Sequence, residues 1–123
     1  MKSDAAQILA VPELIRSAVE NVVRNAVRHT EKDTQVEVSL ICEPQPGRMA
    51  TIVVRDHGKG VPENAIEEIF RPFYRVEDDR DRRTGGTGLG LSIAARAVRL
   101  HQGRIKAANA ADGGLVVEIT LPM

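Results

Sequence analysis

Three short stretches carry side chains whose types and spacing could do chemistry. Asn21, Asn25, Arg28 and His29 fall four, three and one residues apart, so at ~100° per residue they form a polar stripe along one helix face. Asparagine is a mediocre helix former, and two of them one turn apart beside an apolar face call for a reason. Their amides suit a metal or phosphate contact, although a hydrogen bond to a neighbouring loop is the more ordinary use of such a pair. Asp56-His57-Gly58-Lys59-Gly60 places a hydrogen-bond acceptor beside two glycines. A flat ligand could approach such backbone closely, although aspartate is also an ordinary turn residue between elements. Gly85-Gly86-Thr87-Gly88-Leu89-Gly90-Leu91 holds four glycines in six residues and runs without a break into the helix-forming stretch from Ser92 to Val98. The start of a helix offers unpaired N–H groups and the positive end of its dipole, and both favour phosphate. A glycine hinge before a helix is the alternative.

Periodicity supplies the elements that must position these groups. Pro12 suits a first helical turn, and Leu14, Ile15, Ala18, Val19, Val22 and Ala26 recur at helical spacing, which predicts a helix to about His29 or Thr30. Gln35–Cys42 alternates Val36, Val38, Leu40 and Cys42 against more polar neighbours, as a strand with one buried face does. Pro44-Gln45-Pro46-Gly47 turns the chain into a second, more interior strand over Thr51–Arg55 that ends at Asp56. Val61–Phe70 opens with proline and acids and spaces Ile66, Ile69 and Phe70 as a short helix stopped by Arg71-Pro72. The charged run from Tyr74 to Thr84 has almost nothing to bury, which predicts a mobile loop leading into the glycines. After the glycine-led helix, with Leu91, Ala94, Ala95 and Val98 on one face and Gly103 as its stop, come a strand at Arg104–Ala108, a turn at Asp112-Gly113-Gly114 and an alternating strand at Leu115–Leu121. Leu115, Val117, Ile119 and Leu121 are expected to face the core. The fold class that follows is α+β, a two-layer α/β sandwich of three helices on a mixed, mostly antiparallel sheet of about five strands.

Composition narrows the function. At 123 residues the chain suits one domain, 1–123, with one core. Seventeen basic and seventeen acidic residues cancel, so no net field draws it to nucleic acid or to an anionic membrane. Phe70, Phe73 and Tyr74 are the only aromatics, too few and too clustered for a base-stacking platform. The single cysteine, Cys42, fits a reducing compartment and is expected in the core. No apolar run reaches the ~20 residues that cross a bilayer, and Met1-Lys2-Ser3-Asp4 opens no signal peptide, so a cytoplasmic domain is expected.

Neither common phosphate motif fits. Gly58-Lys59 is followed by glycine rather than serine or threonine, and Gly86-Thr87-Gly88-Leu89-Gly90-Leu91 lacks the last glycine of the dinucleotide fingerprint. The residues instead resemble the GHKL (Bergerat) ATP-binding family, and within it the catalytic and ATP-binding domain of bacterial sensor histidine kinases. Asn21 to Thr30 resembles its N box, Asp56 to Gly60 the G1 box, Phe70 to Arg75 the F box and Gly86 to Leu91 the G2 box. The four lie in the family's order across nearly the whole chain. The stretch from Phe70 to Gly90 is most similar to envelope-stress sensors of the Cpx type. Two departures are a histidine at 29, where the family commonly has tyrosine, and a histidine at 57, where a smaller polar residue is usual.

The resemblance implies that Asn25 ligates Mg²⁺ on the phosphates of ATP, assisted by Asn21, and that Arg28 reaches a phosphate while His29 lies near the nucleoside. Asp56 would accept from the adenine amino group, and Gly58 and Gly60 would let the backbone pass the base. Gly86, Thr87, Gly88, Leu89 and Gly90 would hold the phosphates. Tyr74 to Gly85 would be the mobile ATP lid, latched by Phe70 and Phe73, with Arg75, then Arg80, Arg82 and Arg83, as phosphate contacts. GHKL hydrolases carry a glutamate general base one turn before the metal ligand, whereas this chain has Asn21, a poor base, and Glu20 points ~100° away round the helix. Transfer to another acceptor is therefore favoured over hydrolysis. None of His29, His57 and His101 resembles the family's phosphoacceptor segment. The expectation is an excised, monomeric domain that phosphorylates a histidine on a separate dimerisation domain, with a response regulator downstream and the full-length protein anchored in the bacterial inner membrane. An anti-sigma-type serine kinase of the same fold and a non-catalytic nucleotide-binding module are the alternatives.

Overall fold

The computed structural model describes residues 12–43, 48–74 and 89–122. Helix α1 spans Pro12–His29, with Glu13 in its first turn and Arg28 and His29 in its last, each on the favourable side of the helix dipole. Its buried residues, Ala18, Val22 and Ala26, recur at i, i+4, i+8, the apolar stripe that the spacing predicts. Leu14, expected on that stripe, is exposed near the first turn.

The strands are β1 (Glu37–Glu43), β2 (Met49–Arg55), β3 (Arg104–Asn109) and β4 (Leu115–Pro122). They form an open sheet in the order β1-β2-β4-β3, and every neighbouring pair is antiparallel. Where a mixed sheet of about five strands was expected, the described residues contribute four and no parallel pair, because two hairpins meet through β2 and β4. Ala50, Ile52 and Val54 lie opposite Leu121, Ile119 and Val117. Leu115, Val117, Ile119 and Leu121 are all buried, and their alternation sets the register, since a slip by one residue would turn this whole row to solvent. Each fully buried aliphatic side chain in this layer contributes about 1.5–3 kcal/mol relative to exposure. Cys42 lies on the edge strand β1 and is half-buried rather than in the core.

Helix α2 spans Gly90–Leu100 and packs Leu91, Ala94, Ala97 and Val98 into the same core as α1. Its end corrects the expectation for Gly103. The left-handed residue is Gln102 (φ 60°), with Gly103 N–H donating to Val98 C=O and Gln102 N–H to Arg99 C=O, both at 2.9 Å. Gly103 is needed instead for close approach, since a Cβ there would overlap Thr120 and Leu121 of β4. Residues 61–70 are two 3₁₀ turns, Glu63–Ala65 and Glu68–Phe70, rather than one short helix. So short a segment gains little from α-helix nucleation, and the tighter turns bring both Ala65 and Ile69 into the core.

Candidate functional site

Helix α1 meets the loop after β2 at His29 and Thr30 and the start of α2 at Asn21, so the described parts of the three chemistry-bearing stretches lie along one helix. Asp56 follows the last residue of the interior strand β2 and is 2% exposed, the only buried charged residue among those described. Its Oδ1 accepts two backbone hydrogen bonds, from Gly58 N–H at 2.9 Å and from Leu115 N–H at 3.1 Å. Its own N–H donates to Leu115 C=O at 3.0 Å. No donor among the described residues takes Oδ2, so the buried carboxyl keeps one acceptor for something else.

Gly58 and Gly60 have internal reasons to be glycine. A Cβ on Gly58 would overlap the carbonyl oxygen of His29, and Gly60 has φ +73° with Asn109 Oδ1 in the space a Cβ would fill. The loop after β2 is thereby seated against the C-terminal end of α1. His57 N–H donates to Thr30 Oγ1 at 3.0 Å, and Glu31 N–H to His57 C=O at 3.3 Å. The His57 side chain turns away from Asp56, with Nε2 2.6 Å from Glu37 Oε2 on β1.

One end of the polar stripe on α1 meets that loop and the other meets α2. A Cβ on Gly90 would stand 3.3 Å from Asn21 Oδ1. Asn21 Nδ2 donates to Ser17 C=O at 2.8 Å, and Arg24 donates to Asn21 Oδ1 at 3.4 Å. Asn25 lies one turn further on, between the two contacts and roughly 6 Å along the axis from each of Asn21 and His29. It is half-buried. Arg28 is half-buried and His29 exposed. Leu89 precedes α2, and among the described residues no side chain caps the helix, whose first amides are of the kind that donate to an anion. Phe70 is half-buried and packs on the core, whereas Phe73 is 70% exposed at φ 65°. Arg75, Gly86, Thr87, Gly88 and the run from Arg75 to Gly85, with Arg80, Arg82 and Arg83, lie outside the described residues, as does the turn at Pro44–Gly47.

Two groups that matter here carry no signal in the sequence. Asn109, the last residue of β3, binds both backbone groups of Val61. Arg55 closes an ion pair with Asp112 and holds the β3–β4 turn over the same loop. The Arg55 guanidinium bonded to Asp112 holds that carboxyl below the usual carboxylate range. Each pair is separated by more than forty residues, beyond any local pattern.

A buried acceptor beside an apolar core, a half-buried amide on a helix and an uncapped helix start fit a ligand with a hydrogen-bond donor at one end and anionic groups with a hard cation at the other. The sensor histidine kinase CpxA of Escherichia coli (strain K12) is 45% identical over 112 residues, which cover 91% of this chain and 23% of CpxA. The sensor protein kinase WalK of Staphylococcus aureus is 40% identical over 111 residues, 90% of this chain and 26% of WalK. The chain thus spans about a quarter of the length of the curated relatives it matches. The solved structure of the mycobacterial sensor histidine kinase MprB superposes with a TM-score of 0.84 at 28% identity, covering 98% of this chain and 78% of that one. Full-length ShkA in complex with AMPPNP superposes at 0.74 with 28% identity, over 98% of this chain and 24% of that one. The family model described as histidine kinase-, DNA gyrase B- and HSP90-like ATPase matches residues 10–123, and the chain belongs to that family.

Proposed function

We propose that this domain binds Mg-ATP and donates the γ-phosphoryl group to a histidine on a separate dimerisation domain of a two-component sensor kinase. The observation that carries it is Asp56, buried and held by two backbone N–H groups on one oxygen, with its other oxygen left for a donor such as the adenine amino group. Bound Mg-ATP supplies the transferable phosphoryl group, with the metal offsetting phosphate charge. Asp56 fixes the base, and Gly58 and Gly60 keep the loop thin where it passes. Asn25 offers an amide oxygen to a hard cation and Arg28 a cation to a phosphate. The amides of Leu89 and Gly90 serve as anion donors, continued by Gly86, Thr87, Gly88 and Arg75. His29 lies near the nucleoside, and Phe70 and Phe73 latch the lid over the nucleotide.

The relatives CpxA and WalK are named as sensor kinases, and Asn21 supports transfer over hydrolysis. Its amide is bonded to Ser17 and Arg24 within α1, and an amide does not take a proton from water near neutral pH. The phosphoacceptor domain and a response regulator are the partners in this reading. No helix among the described residues is long and apolar enough to cross a membrane, and in this reading the full-length protein carries its inner-membrane anchor outside this domain. Calorimetric titration of Mg-ATP into the chain tests this. Saturable heat that returns to baseline supports a nucleotide domain without a hydrolytic base, whereas continuing turnover heat would place it with the hydrolases.

A further inference from the structure

One cross-strand rung holds both ends of the loop that carries Asp56. Asn109 and Leu115 face each other at the end of the β3–β4 ladder nearest its turn. Leu115 takes one end through its two backbone bonds to Asp56. Asn109 takes the other. Its Oδ1 accepts from Val61 N–H at 2.9 Å, and its Nδ2 donates to Val61 C=O at 2.6 Å and to Glu63 Oε1 at 3.1 Å.

The carboxamide thus substitutes for a strand residue that is not there. Val61 packs its side chain against the core, which draws its backbone groups into a half-buried position where both need partners. A primary amide carries the same donor and acceptor as a peptide unit and can satisfy the two together. Gly60, at φ +73°, brings the chain so close to Asn109 Oδ1 that no side chain fits between them.

We propose that Asn109 is a positioning residue for the nucleotide base. By fixing Val61 and Gly60, it sets the height and tilt of the loop relative to the free acceptor of Asp56, and it touches no reacting atom itself. The inference rests on the assignment of Asp56 as the base acceptor. It has a specific chemical consequence: a fixed acceptor prefers the 6-amino group of adenine over the 6-oxo group of guanine, so loosening the loop erodes that preference.

The test uses the chain as it stands with Asn109→Asp, which keeps an acceptor for Val61 N–H but sets an oxygen against Val61 C=O and Glu63. Asn109→Ser, which removes the two-way bond without adding charge, accompanies it. Displacement of a fluorescent ATP analogue by ATP and by GTP is measured beside hydrogen exchange at the Val61 amide and thermal unfolding. In Asn109→Asp, ATP binding is expected to weaken about tenfold or more, from the loss of one to two hydrogen bonds. The ATP-to-GTP ratio falls with it and the Val61 amide exchanges faster. Asn109→Ser shifts all three in the same direction by less. Lower melting temperatures with an unchanged ATP-to-GTP ratio in both variants would reduce Asn109 to a structural residue and overturn the proposal. Wild-type protein that binds no ATP would remove the nucleotide assignment and this inference with it, whereas ATP binding that is alike in wild type and both variants would overturn this inference alone.

Discussion

Gly113 and Gly114 are adjacent, both left-handed and equally plain in sequence, yet the structure assigns them different work. Their φ angles are +101° and +95°, so alanine at either position bears backbone strain of about 1–3 kcal/mol. The surroundings then separate them. A Cβ at Gly113 meets nothing closer than Gly58 O at 3.7 Å, an ordinary contact. A Cβ at Gly114 would stand 2.9 Å from the carbonyl carbon of Asp56 and nearer still to its oxygen, both backbone atoms with nowhere to go. Gly114→Ala therefore adds overpacking of about 1–3 kcal/mol and pulls on the two Asp56–Leu115 hydrogen bonds, about 1 kcal/mol each. At roughly 3–6 °C per kcal/mol for a domain of this size, Gly113→Ala should melt roughly 10 °C below wild type and Gly114→Ala at least about 10 °C lower still. Thermal unfolding of the chain without ligand, followed by far-ultraviolet circular dichroism, measures both. Variants that melt within about 2 °C of each other would refute the claim that the β3–β4 turn is seated on the Asp56 backbone.

Three further outcomes follow from the same geometry. Asp112 has its carboxyl pulled below the usual range by Arg55, so the pair stabilises fully above the unfolded value and the contribution is lost as pH falls through the lower folded value. Asp112→Asn should thus lower the melting temperature near neutral pH and converge with wild type in acid, and a gap that widens in acid would contradict the sign. Ile119→Ala, at a residue 1% exposed, should cost about 2–5 kcal/mol in urea unfolding, while Ile41→Ala on the edge strand, 41% exposed, should cost under about 1 kcal/mol. Asn25→Ala should weaken ATP binding in the presence of Mg²⁺ and leave binding in a chelator at the wild-type level. An equal loss under both conditions would remove Asn25 from the metal.

Legibility from sequence followed the range of the interaction. α1 buries Ala18, Val22 and Ala26 on one face, as their spacing predicts, and β4 buries the alternating row from Leu115 to Leu121. Both are local patterns that report one face of one element. Gly58, Gly60 and Gly103 were marked by their composition, but what approaches them is His29, Asn109 and β4, distant in the chain and invisible to any window. The segment from Val61 to Phe70 has helical spacing, yet the need to bury Ala65 and Ile69 over so few residues divides it into two 3₁₀ turns. Asn109 had no distinguishing neighbours at all: its meaning lies in Val61, 48 residues away. At the candidate site, Asp56 is legible as a candidate because a carboxyl group at the end of an apolar strand is out of place locally. Asn21 and Asn25 stood out for the same reason, as poor helix formers in a helix.

The nucleotide assignment stands or falls on Asp56. Asparagine there keeps one oxygen for Gly58 and Leu115 but turns the free acceptor into a donor. Mg-ATP is titrated calorimetrically into the wild-type chain and Asp56→Asn, with the melting temperature of each recorded. Saturable binding by the wild type is expected, with a loss of at least about a hundredfold in the variant from exchanging an attractive hydrogen bond for a donor–donor clash, and melting within a few degrees of wild type. Equal affinity in a folded Asp56→Asn would contradict it, and the buried carboxyl group would then be a structural residue of the β2 end and nothing more.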